Sequence, residues 1–74
     1  MKTYLILYFG TKNVPCSEIA KRIERLGFTT LIGPYDFVYE WKRKPAKKDI
    51  LTLGDNVCKT LHETGSVFTL DTRE

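Results

Sequence analysis

Residues 28–42, Phe-Thr-Thr-Leu-Ile-Gly-Pro-Tyr-Asp-Phe-Val-Tyr-Glu-Trp-Lys, constrain the fold of this chain more than any other stretch. Gly33-Pro34-Tyr35-Asp36 joins two extended runs with residues whose backbone preferences and side-chain hydrogen bonds make turns. Beyond the turn, Phe37, Tyr39 and Trp41 alternate with Val38, Glu40 and Lys42. Successive side chains of a strand point to opposite faces, so the three aromatics share one side. The stretch therefore reads as a pair of strands with one strongly apolar face, and a small domain needs only one such face to build a core.

The flanking segments supply what that face packs against. Residues 3–10 read as a first strand in which Leu5, Leu7 and Phe9 point one way and Tyr4, Ile6 and Tyr8 the other. Both sets are apolar or aromatic, the pattern of a strand covered on two sides. Gly10-Thr11-Lys12-Asn13 follows as a loop, with Asn13 a helix cap and Pro15 tolerated in the first turn. Residues 16–26 place Ile19, Ile23 and Leu26, with Ala20, on one helical stripe, and Gly27 stops the helix. Residues 48–63 repeat the pattern with Ile50, Leu53, Val57 and Leu61, while Asp49 and His62 suit the two ends of the helix dipole. Gly54 in the middle of that helix implies a bend or a closely packed backbone. Gly65 ends the helix, and residues 66–72 alternate as a last strand with Phe68 and Leu70 on its core face.

The order β-α-β-β-α-β predicts an α+β, ferredoxin-like fold, a four-stranded antiparallel sheet with two helices on one face. Right-handed crossovers send both helices to the same side, which leaves the other side of the sheet uncovered. Seventy-four residues make one domain over residues 1–74. A chain of this size buries only about 60% of its unfolded surface, so self-association is a natural source of added stability.

Cysteine count and charge narrow the chemistry. Cys16 and Cys58 lie far apart, each within an expected helix, and read as two buried, reduced thiols rather than a disulfide framework. His62 is the sole histidine and follows Cys58 by four residues, too few ligands for a structural zinc, so neither metal nor cofactor is expected. The apolar run at residues 4–9 is too short for a signal peptide or a membrane span, giving the expectation of a cytoplasmic protein with no membrane partner. The net charge of +3 comes largely from Lys42, Arg43, Lys44, Lys47 and Lys48, around Pro45. That basic patch reads as a solvated loop or as a surface for an acidic partner or nucleic acid.

The turn Gly33-Pro34-Tyr35-Asp36-Phe37-Val38, followed after a helix by Gly65-Ser66-Val67-Phe68-Thr69-Leu70-Asp71-Thr72, resembles two signals found together in known families. It is similar to the small GYD domains and to the ligand-binding domain of leucine-responsive (Lrp/AsnC) regulators. The resemblance covers mainly residues 33–72 and the order of elements. It implies a homodimer through open sheet faces, the dimeric α/β barrel, with a small-molecule ligand at the subunit interface. By position it implies Gly33, Tyr35, Asp36 and Gly65 as ligand-binding residues. The strand after the turn departs from the pattern, since it carries Tyr39 and Trp41 in place of small aliphatic residues, and a basic loop replaces the expected acidic residue.

Two other functions use the same topology. RNA-binding domains of the RRM type stack bases on aromatics of strands one and three, and Tyr35-Asp36-Phe37-Val38-Tyr39 partly matches their strand-three motif. Asp36 and Glu40 break that match, at positions where the motif has a small residue and an aromatic. Acylphosphatases need an arginine in the loop after the first strand, where this chain has only Lys12 as a cation. No nucleophile, histidine and carboxylate set is readable, so the chain is expected not to be an enzyme. The sequence reading is a small non-catalytic binding or assembly module. Its interface or nucleic-acid platform is drawn from Tyr4, Tyr8, Phe37, Tyr39 and Trp41. If the aromatic face of the third strand is the uncovered one, Tyr39 or Trp41 lies in the dimer interface. If it is covered, the open face carries Glu40 and Lys42.

Overall fold

The alternating stretches form strands and the 3.6-period stretches form helices, in the order β1 (Lys2–Tyr8), α1 (Cys16–Arg25), β2 (Thr29–Thr30), β3 (Phe37–Glu40), α2 (Lys47–Leu61) and β4 (Val67–Arg73). The structure is a computed structural model, and it describes residues 1–8, 14–33, 35–62 and 64–74. The expected cap Asn13, the loop cation Lys12, the face assignment of Phe9 and the proposed helix end at Glu63 lie outside the described residues.

The sheet order is β2-β3-β1-β4, and every neighbouring pair is antiparallel. The β1–α1–β2 connection therefore skips over β3, and β3–α2–β4 skips over β1. Each joins two parallel strands separated by a third, the interleaved split βαβ arrangement of the ferredoxin-like fold. Ile19 and Ile23 of α1 and Leu53, Val57 and Leu61 of α2 enter one core with Leu5, Leu7, Phe28 and Phe37, so both helices cover the same face. Phe68 and Leu70 pack half-buried against that core. No helix among the described residues is long and apolar enough to cross a membrane.

Register decides which side of each strand is covered. Leu5 lies opposite both Phe37 and Leu70, Leu7 opposite Phe68, and Thr3 opposite Tyr39 and Thr72. The odd-numbered set of β1 thus shares the helix side with the aromatics of β3. Phe28, Tyr39 and Trp41 continue it as a chain of edge-to-face contacts, with ring centroids 5.4 and 4.8 Å apart. The Trp41 indole Nε1 donates to Thr3 Oγ1 at 2.8 Å, and Thr3 Oγ1 is 2.8 Å from Thr72 Oγ1, so the buried hydroxyl has two partners. Gly27, just past α1, makes room for this cluster. Its φ is +107°, and a Cβ there would lie 2.9 Å from Tyr39 Cε2.

Several expectations are corrected. The hairpin closes one residue earlier than read, because Leu31 N–H donates to Asp36 O at 3.0 Å in register with the Thr30–Phe37 pair, and β2 is only two residues long. The second helix ends at Leu61, and His62 is already in a turn. Buried Thr64 is the cause: its N–H and Oγ1 both donate to Leu61 O, at 3.1 and 2.7 Å, and Oγ1 accepts Ser66 N–H at 3.1 Å. Gly65 follows with φ +73° and turns the chain into β4. Gly54 does not interrupt α2, and a Cβ there would touch Leu70 Cδ1 at an ordinary 3.8 Å. Cys16 and Cys58 are free and exposed, not buried. Cys58 follows Val57, and one step of 100° carries it off the buried stripe; Cys16 opens α1, beyond the part of that helix that reaches the core.

Candidate functional site

The face of the sheet away from the helices presents Lys2, Tyr4, Ile6 and Tyr8 from β1, Val38 and Glu40 from β3, and Val67, Thr69, Asp71 and Arg73 from β4. Pairing sets their order: Lys2 between Glu40 and Arg73, Tyr4 between Val38 and Asp71, Ile6 beside Thr69 and Tyr8 beside Val67. Tyr8 and Val67 are 56% and 64% exposed, two large apolar side chains in adjacent positions. Val38 is buried, whereas Tyr4 and Ile6 are half-buried.

Tyr35 reaches onto this face from the β2–β3 connection. Its ring stacks on Tyr4 with centroids 4.7 Å apart and planes 30° apart. Its hydroxyl makes a long 3.4 Å contact with Asp71 Oδ2, and the Arg73 guanidinium lies 5.6 Å from the ring centroid. Arg73 Nε donates to Asp71 Oδ2 at 2.7 Å. That hydrogen bond first, and the Asp71 charge second, hold the Arg73 proton more tightly than usual. Beside it, at the same end of the strands, Lys2 Nζ is 3.3 Å from Glu40 Oε1. The charges of the face thus gather at one end as two neighbouring ion pairs, and the apolar residues run from there toward Tyr8 and Val67.

The residues singled out from sequence fall into separate places. Tyr4 and Tyr8 are on the open face, but Phe37, Tyr39 and Trp41 are on the helix side, so the five aromatics do not form one platform. The expectation that Tyr39 or Trp41 lies on an uncovered face is corrected: they face the side to which the core residues of both helices are delivered. The open face does carry Glu40, yet it is more apolar than a surface of Glu40 and Lys42 would be.

Asp36 has a structural task. Its Oδ2 accepts Leu7 N–H at 2.8 Å, while its own N–H donates to Leu5 O at 2.9 Å. The β1–β3 ladder runs out at Leu5 and Phe37, and the carboxylate completes it by one more acceptor. Gly33 is exposed with φ +138° and has nothing within 4 Å of where a Cβ would stand. Gly33, Tyr35 and Asp36 precede β3 and Gly65 precedes β4, so they flank the C-terminal end of β1 on its two sides.

Lys42, Arg43, Lys44, Lys47 and Lys48 are all exposed, on the β3–α2 connection and the first turn of α2. They lie at the opposite end of the sheet from the Tyr35–Asp36 turn. Among the described residues no three metal-ligating side chains come together. Sequence reasoning placed Tyr35 with the turn and a ligand rather than on this face, and it missed Ile6, Val67 and Arg73. The signal available for Ile6 and Val67 was alternation, since each belongs to the set opposite the core residues of its strand. No protein family, curated protein or solved structure matches this chain.

Proposed function

We propose that the chain is a non-catalytic binding and assembly module that pairs with a second copy of itself through the open face of its sheet. The observation that carries this reading is the exposed pair Tyr8 and Val67, continued by Ile6 and the Tyr4–Tyr35 stack. A contiguous exposed apolar patch marks an interaction surface. A second copy fits it on charge. A two-fold interface brings the same patch of both subunits together, so the patch must not repel itself. Here the charges come as Lys2–Glu40 and Arg73–Asp71 pairs, each of no net charge.

The geometry favours this over an RNA platform. The open face receives Val38 and Glu40 from β3 and therefore has no aromatic from that strand. Its carboxylates Glu40 and Asp71 would face phosphate, which weakens binding that rests on counterion release. In this reading Asp36 holds β1 rather than a ligand.

Light scattering at high micromolar concentration tests the proposal. The expected result is a dimer mass for the wild-type chain and a monomer mass for Tyr8→Glu and Val67→Glu. A monomeric wild-type chain, or dimers that persist in both variants, would overturn it.

A further inference from the structure

A second feature lies on the helix side of the sheet, away from the proposed pairing face. A cleft of about 300 Å3 opens between the end of β3, the β3–α2 connection and the first half of α2. That volume is at the small end of what ligand sites enclose. Its floor is aromatic and aliphatic: Tyr39 and Trp41, with Leu26 and Leu53 beside them. Trp41 is held by the bond from its Nε1 to Thr3 Oγ1, so the polar edge of the indole is satisfied and the ring surface remains for stacking.

The polar groups at the rim differ in what they have to offer. Asp49 lines the cleft, but its Oδ2 accepts Ala46 N–H at 2.8 Å and is committed to the start of α2. Thr52 Oγ1 donates to Lys48 O at 2.8 Å. Arg43 and Asn56 also line the cleft, and among the described residues neither side chain is in a hydrogen bond or an ion pair. An uncommitted guanidinium is a planar fork suited to a carboxylate. Exposed Lys42, Lys44, Lys47 and Lys48 raise the positive potential around the mouth.

We infer that this cleft binds a small planar organic anion, an aromatic carboxylate whose ring lies on Trp41 beside Tyr39 and whose carboxylate is received by Arg43 with Asn56. Both halves of that ligand answer a feature of the site: the ring matches a fixed aromatic floor, and the charge matches the free cation at its edge. A basic loop made only for solubility would not need its one arginine beside the sole tryptophan of the chain.

The test is an amide NMR titration of the 15N-labelled chain with 2-naphthoate, alongside the neutral 2-naphthamide. Saturable shifts are expected at the Trp41 indole N–H and at the amides of Arg43, Thr52 and Asn56. The Arg43→Ala variant, whose exposed side chain leaves the remaining spectrum unchanged, is expected to bind about tenfold more weakly, the scale of a lost charge-assisted hydrogen-bond pair. The neutral amide should be weakened to a similar degree. Absence of saturation, shifts centred on Tyr8 and Val67, or wild-type affinity in Arg43→Ala would overturn the inference. None of these outcomes depends on whether the open face pairs with another copy.

Discussion

Asp36 shows at the residue scale how a turn motif can serve the fold rather than a ligand. Its carboxylate reaches a backbone amide 29 residues earlier in the chain, at a place where the ladder between β1 and β3 has ended. Replacing it leaves Leu7 N–H without an acceptor, and Asp36→Ala is expected to destabilise by about 1–3 kcal/mol in urea denaturation, with Asp36→Asn milder. An unchanged midpoint in Asp36→Ala would contradict this role. That contact was illegible in the sequence, because local turn chemistry explains an aspartate equally well. Gly27 is a second such position, where a left-handed φ and the nearby Tyr39 ring both exclude a side chain. The cysteines were misread for the converse reason. Thiols are buried on average, but Cys58 sits one helical step away from the stripe that holds Val57. Both thiols should react with a disulfide reagent in the folded protein, without denaturant; protection of either would refute their exposure.

Among the elements, the helices were the most legible. Ile19 and Ile23 in one helix, and Leu53, Val57 and Leu61 in the other, recur every four residues, and all five are buried. Ile23→Ala should remove about 2–5 kcal/mol, a large share of the stability of so small a domain. Gly54 points the other way. It lies inside a continuous α2, and a methyl group there meets only an ordinary contact with Leu70. Gly54→Ala is therefore expected to raise stability by about 1 kcal/mol, read as a higher urea midpoint; a lower midpoint would mean that α2 and β4 cannot part even slightly. The strands were harder. Both sets of β1 are apolar, so its alternation could not say which side meets the helices. The answer was present in β3, where Phe37, Tyr39 and Trp41 face away from Glu40, and in the register that sets Leu5 against Phe37. Boundaries failed where side chains intervened, as Thr64 does at the end of α2.

For the molecule as a whole, the order of six elements was enough to read the topology. Right-handed crossovers put both helices on one side of the sheet, and the order β2-β3-β1-β4 is that of the interleaved split βαβ arrangement. The open face was legible as a consequence of that count, but its composition was not. Its apolar surface comes from Tyr8, Val67, Ile6 and Tyr35, and not from the aromatics of β3. The claim that this face receives a second copy is tested most directly by isotope-filtered NOE spectra on an equal mixture of 13C-labelled and unlabelled chains. The account predicts cross-peaks between copies that join the Tyr8 ring to Val67 and Ile6 methyl groups. Spectra without intermolecular cross-peaks at high micromolar concentration, or with cross-peaks only to the exposed Leu31 and Ile32, would contradict it.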